Sequence, residues 1–448
     1  MNRPTSTQPQ RLLKPASLGL GERLRQLRVA AGLTQGDVAG DRFSKEYVSQ
    51  IERGKTRPTA ETVQWLAERL GVDASFLANG VSTDERGRVE GGLARAEALA
   101  QSDRCADAIA EYDNLRSAVL ATGAPELEAR ALKGEARARA VEGDVRHAIP
   151  LFERARELYE SASFSDIERA EVVYDLGVAR YKLSSISTAI GLFNAALQLA
   201  ERSELPCDLL RSKILEARSR CYRRQRDFQA AKEDVERALE LAQAAEDQPA
   251  LASAYFQASI VAEREGHWVL ARSYAEQAKS IYAMLSEERH VGRLLNNIGG
   301  LNFLLGKPEE AVPHLKEAFR IALDLGHEAD AAQAVSSLAQ VHLRTGNVDQ
   351  AEEQARHALR LLDGRVDFLD EIGNAQLVLG RSLLQQERLD EAEEQFQAAD
   401  STFEQLSSLS HRAAAWVALG DLATRRGADR EAAHLYRRAA EALQDFRW

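Results

Sequence analysis

Apolar and polar positions along the chain fall into two textures that change near residue 80. In the first, apolar residues recur at helical spacing in short bursts: Leu20, Leu24, Leu27 and Ala30 or Ala31 form a stripe that stops at Gly32. Thr34 has the chemistry of an N-cap, with Asp37 as capping-box partner three residues on and Val38 and Ala39 facing inward. Gly40-Asp41 breaks the chain before a third helix, where Val48 and Ile51 share one face while Lys45, Glu46, Ser49 and Gln50 share a wholly polar one. Gly54 ends that helix, and Lys55 and Arg57 follow it. Thr59 caps a fourth helix with Val63, Leu66, Ala67 and Leu70 as its stripe; Gly71 closes it, and a last short helix carries Phe76 and Leu77. A helix that docks through two apolar residues and offers only hydrogen-bonding groups outward has the make-up of a base-reading helix.

The second texture is periodic. A phrase of Ala, three residues, a bulky or apolar residue, two residues, Ala recurs from Ala108-Tyr112-Leu115 through Ala148-Phe152-Ala155 and Ala189-Phe193-Ala196 to Ala432-Tyr436-Ala439. Its first alanines (Ala108, Ala148, Ala189, Ala231, Ala271, Ala311, Ala351, Ala392, Ala432) lie 40 to 42 residues apart, so nine units fill the body. Twelve residues before the phrase stands a small residue, such as Gly177, Ser219, Gly299 or Gly380, which lets paired helices approach while the bulky residue fills the gap. Glycine turns at Gly143, Gly266, Gly306, Gly346 and Gly427 separate the two helices of a pair. Between the textures, residues 81–88 are polar and glycine-bearing and read as a linker, and residues 1–17, rich in Pro and polar residues, read as a disordered lead-in.

Charge sharpens this division. The net charge of -11 would argue against a nucleic-acid partner if uniform, but residues 1–80 hold 12 Lys plus Arg against 8 Asp plus Glu, net +4, leaving -15 for the rest. A basic head on an acidic body is expected where only the head meets phosphates. No apolar run is long enough to span a bilayer and no signal-peptide centre is present, which predicts a cytoplasmic protein without membrane contact. Cys105, Cys207 and Cys221 lack disulfide or zinc spacing and are expected as buried thiols.

The run from Leu33-Thr34-Gln35 through Glu52-Arg53-Gly54-Lys55 and Pro58 to Leu70-Gly71-Val72 and Phe76-Leu77-Ala78-Asn79-Gly80 resembles the phage-repressor and xenobiotic-response class of helix-turn-helix regulators. The resemblance implies that residues 18–80 form a five-helix DNA-binding domain. It implies that Lys45, Glu46, Ser49 and Gln50 contact bases, and that Gln35, Ser44, Lys55, Thr56 and Arg57 contact phosphates. It also places Arg28 beside Glu52, tying the first helix to the third, and leaves Tyr47 to pack on the sugar-phosphate wall.

The repeat phrase resembles the tetratricopeptide repeat in a long form, as in kinesin light chains and the peptide-sensing quorum regulators of Gram-positive bacteria. This implies that residues 89–448 form a right-handed α-superhelix of about nine tetratricopeptide-like helix pairs, so the whole chain is all-α. The first helices of such pairs line a concave surface. Counted from the phrase, its inward positions include Arg130, Arg137, Asp175, Arg220, Arg223 and Arg224, then Gln257, Arg264, Arg293, Asn296 and Asn297. Guanidinium groups suit carboxylates and Asn side chains suit an extended peptide's amides; the alternative is that these arginines pair with carboxylates inside the array.

No HExxH, catalytic triad order or phosphate loop is present, so no enzymatic activity, cofactor or metal is expected. The expected partners are double-stranded DNA carrying a palindromic operator, a short peptide or protein in the repeat groove, and a second copy of the chain. The sequence thus predicts a transcriptional regulator that senses a ligand through its repeats. Competing readings are a protein-interaction scaffold localised to DNA and a ligand-independent repressor whose repeats only oligomerise.

Overall fold

A computed structural model describes residues 19–161, 164–365, 368–406 and 408–444. The lead-in expected over 1–17 lies outside the described residues. Among them there are 23 helices and no strand, and no helix is long and apolar enough to cross a membrane. The chain forms two compact units, one ending at Leu210 and the other beginning at Arg211.

The first unit opens with the head: α1 (Leu20–Ala30), α2 (Gln35–Ala39), α3 (Lys45–Glu52), α4 (Ala60–Leu70) and α5 (Ala74–Asn79). Leu24, Leu27, Val38, Val48, Ile51, Leu66 and Leu77 are almost fully buried and make one core. The caps explain where each helix begins. Thr34 Oγ1 accepts from Asp37 N at 3.1 Å while Asp37 Oδ2 accepts from Thr34 N at 2.7 Å, the reciprocal box expected there. Thr59 caps α4, and Gly71 at φ 67 closes it in the left-handed conformation that only glycine adopts cheaply. Gly21 serves a different end: a Cβ there would sit 2.3 Å from the Ile51 carbonyl oxygen, so α1 crosses the end of α3 only because the side chain is missing.

Helices then come in pairs. The first unit continues with α6 (Thr83–Gln101) and α7 (Cys105–Thr122), α8 (Pro125–Val141) and α9 (Val145–Tyr159), and α10 (Asp166–Lys182) and α11 (Ile186–Arg202). Residues 83–88, read from sequence as linker, are the first turns of α6. Ser82 and Glu85 form a second capping box there, a signal masked by the glycine and charges around it. The junction to the head is bonded as well: Thr83 Oγ1 donates to Asp73 Oδ2 at 3.0 Å, and Asp73 also caps α5 through Phe76 N.

α12 (Asp208–Arg224) carries the boundary between units and pairs with α13 (Phe228–Ala244). The second unit continues with α14 (Gln248–Arg264) and α15 (Trp268–Met284), α16 (Glu288–Leu304) and α17 (Pro308–Asp324), α18 (Glu328–Arg344) and α19 (Val348–Leu361), α20 (Leu369–Gln385) and α21 (Leu389–Gln405), and α22 (Leu409–Arg425) and α23 (Asp429–Gln444). This gives nine pairs among the described residues, in phase with the alanine phrase. Ala108, Ala148, Ala189, Ala231, Ala271, Ala311, Ala351 and Ala392 are completely buried. The small residue before each phrase works sterically: a Cβ on Gly177 would lie 2.6 Å from the Phe193 ring. Where the sequence shows glycine turns, φ is positive, as at Gly143 and Gly266. The same left-handed turn is held by Asp103, Ser184, Arg226 and Glu387 in pairs that lack the glycine. Cys105, Cys207 and Cys221 are free and buried.

Candidate nucleic-acid interface and repeat groove

Ser44 starts the reading helix, its Oγ accepting from Tyr47 N at 3.1 Å. Val48 and Ile51 anchor α3 inward, leaving Lys45, Glu46 and Gln50 exposed and Ser49 half-buried. Lys55 and Arg57 are exposed beyond the helix end, with Thr56 half-buried between them. Thr56 Oγ1 donates to Gln50 Oε1 at 3.0 Å, which turns the Gln50 amide nitrogen outward. All nine head residues singled out from sequence thus sit on or beside α3 except Gln35, at the start of α2. Tyr47 is half-buried and packs at a tilt against Phe43 with ring centroids 5.3 Å apart, so its ring is engaged within the head.

Glu52 organises the back of this face. Arg28 Nε donates to its Oε1 at 2.6 Å, and Gln35 Nε2 donates to its Oε2 at 2.7 Å. One carboxylate therefore joins α1, α2 and α3. Burial works against the charge on Glu52, but the hydrogen bonds from Arg28 and Gln35 outweigh it and hold the carboxyl below its usual range. Gln35 has one further amide hydrogen, the group a phosphate would take. A residue that sequence reasoning passed over is Arg23, placed in the apolar stripe yet only 4% exposed. Its guanidinium donates to the carbonyls of Leu77 (3.1 Å) and Ala78 (2.5 Å), ending α5. Its spacing, three residues after Leu20 and four before Leu27, is the signal that separates it from the exposed Arg25.

The first unit holds a cavity of about 730 Å³ among α6, α7, α8, α9 and the start of α10, lined by Tyr112, Leu127, Ala138 and Tyr159 and by the cations Arg86, Arg130, Lys133 and Arg137. Its volume falls in the range of small-molecule pockets. Burial pushes the Tyr112 hydroxyl up to about 12. The cavity's arginines are already engaged: Arg130 grips Glu97 bidentately at 2.6 Å on both bonds, and Arg137 Nε donates to Asp175 at 2.7 Å. Burial still drives the Asp175 carboxyl upward although Arg137 lies beside it.

In the second unit, Arg293 donates to Asp330 at 3.0 Å, and Asn297 donates to Glu263 at 3.2 Å while accepting from Ser259 at 2.9 Å. Arg220 and Arg223 are half-buried, and Arg224 and Arg264 are exposed. Gln257 Oε1 and Asn296 Oδ1 are different: both are buried oxygens with no hydrogen-bond partner. An unmet buried acceptor costs about 1–3 kcal/mol.

These features define a helix-turn-helix head followed by tetratricopeptide repeats. A helix-turn-helix domain model matches residues 19–80, and tetratricopeptide-repeat models match residues 148–204, 210–284, 290–363, 353–407 and 377–445. Over 63 residues the chain is 46% identical to the helix-turn-helix transcriptional regulator DdrOP3 of Deinococcus deserti, a match covering 14% of this chain and 49% of that one. The chain thus spans about half the length of that relative. Over 54 residues it is 44% identical to the uncharacterized helix-turn-helix transcriptional regulator y4dJ of Sinorhizobium fredii, covering 12% of this chain and 70% of that one. The chain belongs to the helix-turn-helix-type transcriptional regulators. Its fold is shared with the apo quorum sensor NprR of B. thuringiensis at a TM-score of 0.59 and 12% identity, over 80% of this chain and 99% of that one.

Proposed function

We propose that the chain is a sequence-specific DNA-binding regulator whose head reads a palindromic operator as a homodimer and whose repeats sense a short peptide. The observation that carries the DNA reading is the α3 face. Lys45, Glu46 and Gln50 project into solvent from a helix fixed behind by Glu52, with Lys55 and Arg57 beside it. Lys suits guanine, Gln adenine and Glu cytosine, while the flanking cations suit phosphates. One such helix covers too few base pairs to discriminate in a genome, which is the reason for invoking a second copy.

Ligand sensing is supported by the 730 Å³ cavity and by the fold shared with a protein described as a quorum sensor. A ligand-independent reading, with the repeats only oligomerising, is favoured by the internal pairing of Arg130, Arg137 and Arg293. Selection of bound duplexes from a random pool by the full chain tests the head. Enrichment of a two-fold symmetric site supports the reading, and failure to enrich any sequence removes it. Native mass spectrometry of the purified chain separates a co-purified peptide from an empty groove.

A further inference from the structure

We propose that Arg42, in the turn between α2 and α3, is an additional phosphate contact of the head, held in place by a cation–aromatic stack that reaches α4. The inference rests on the DNA-binding reading and adds to its contact set a residue that spacing did not single out.

The Arg42 guanidinium carbon lies 5.7 Å from the Phe43 ring centroid and 5.6 Å from that of Trp65 on α4. Arg69, one turn further along α4, lies 5.8 Å from the same indole and donates to the Asp37 carbonyl at 2.6 Å, closing the end of α2. Gly40 completes the turn at φ 55, with the Arg69 guanidinium 3.2 Å from where its Cβ would stand. Phe43 in turn packs at a tilt against Tyr47 of α3. The series Tyr47, Phe43, Arg42, Trp65, Arg69 is thus a continuous run of rings and cations binding the turn to α3 on one side and α4 on the other.

Both cations of the stack are exposed, but Arg69 is committed to the Asp37 carbonyl, whereas Arg42, with 49% of its side chain exposed, meets only a loose carboxylate among the described residues. Its carboxylate neighbour is Glu61 at 3.6 Å, itself 85% exposed. Such a surface pair is worth little and gives way readily to a stronger acceptor. The position also suits a phosphate. Arg42 stands two residues before the Ser44 cap of α3, and Glu61 lies in the first turn of α4, just past the Lys55–Arg57 loop. Arg42 therefore adds a cation at the start of the reading helix, where Lys55 and Arg57 supply cations beyond its end. A guanidinium laid on aromatic faces has already lost most of its rotamer freedom and gives up less on bonding a phosphate. In this arrangement Trp65 and Arg69 are positioning residues and Arg42 is the contact.

A random-sequence 30-base-pair duplex is a sufficient probe, because phosphate contacts do not depend on sequence. Binding of the full chain is measured by fluorescence anisotropy across a salt series. Arg42→Ala and Arg42→Gln are each expected to reduce the slope of log K against log salt by about 0.9, the value for one phosphate. Base preference at a selected site should stay unchanged. Arg42→Lys should keep the slope, and Glu61→Gln should tighten binding severalfold by releasing Arg42. Trp65→Leu should weaken binding to the level of Arg42→Ala, with no further loss in the double variant. An unchanged slope in Arg42→Ala, while Arg57→Ala lowers it, overturns the proposal and leaves the DNA reading intact. Salt-independent or absent binding by the unaltered chain overturns both.

Discussion

Arg28 and Glu52 meet through two hydrogen bonds, Nε to Oε1 at 2.6 Å and Nη2 to Oε2 at 3.1 Å, with only 13% and 4% of their side chains exposed. With Gln35 on the same carboxylate, this contact sets how α3 is presented. Glu52→Gln should lower head stability by about 2–3 kcal/mol at neutral pH, less than the full cost of orphaning a deeply buried partner. Because the folded carboxyl titrates below its unfolded range, its stabilisation is fully present above about pH 4.5 and fades as pH falls through the folded value. The gap between wild type and Glu52→Gln should therefore be constant above about pH 5 and narrow below it. Thermal unfolding at a series of pH values measures this.

Gln50 and Arg57 should separate cleanly in binding experiments. Gln50→Ala is expected to relax preference at one base position, costing about 1–3 kcal/mol on the preferred base and little elsewhere. Arg57→Ala should weaken all sequences alike. Because Thr56 orients the Gln50 amide, Thr56→Val should shift preference at that same base position. Affinity profiling against single-base variants of a selected site decides each case.

Arg23 makes a prediction about stability with no direct link to DNA contact. Arg23→Met keeps the buried stem but leaves the Leu77 and Ala78 carbonyls without their charged donor, at about 2–3 kcal/mol. Hydrogen exchange over residues 74–79 should accelerate before exchange in α3 does.

Asp103 holds φ 59 in the turn between α6 and α7, where other pairs carry glycine. Asp103→Gly should stabilise that pair by about 0.5–1 kcal/mol, the relief of left-handed strain less the added freedom of the unfolded chain. Denaturant unfolding of the two proteins side by side tests it.

Local chemistry and periodicity were enough to foresee the helices of the head, its Thr34–Asp37 and Thr59 caps, the nine-unit phase and the steric role of Gly177 before Phe193. Each depends on residues close in sequence or on a spacing repeated down the chain. The Arg28–Glu52 contact came through resemblance alone, since neither residue betrays it locally. The α6 start at Thr83 was missed because a capping box was embedded in a stretch with the composition of a linker.

What the sequence determined by itself is the all-α class, the division into a basic head and a periodic acidic body, and the polar face of α3, because helical period and charge are one-dimensional properties. Only the tertiary structure decided which charges are spent. Arg130, Arg137 and Arg293 find carboxylates 33 to 38 residues away, Arg23 finds the end of α5 54 and 55 residues on, and Trp65 gathers Arg42 and Arg69. Such pairings depend on how helices stack in three dimensions, and a guanidinium in the sequence looks the same whether it will face a carboxylate, a ring or open solvent.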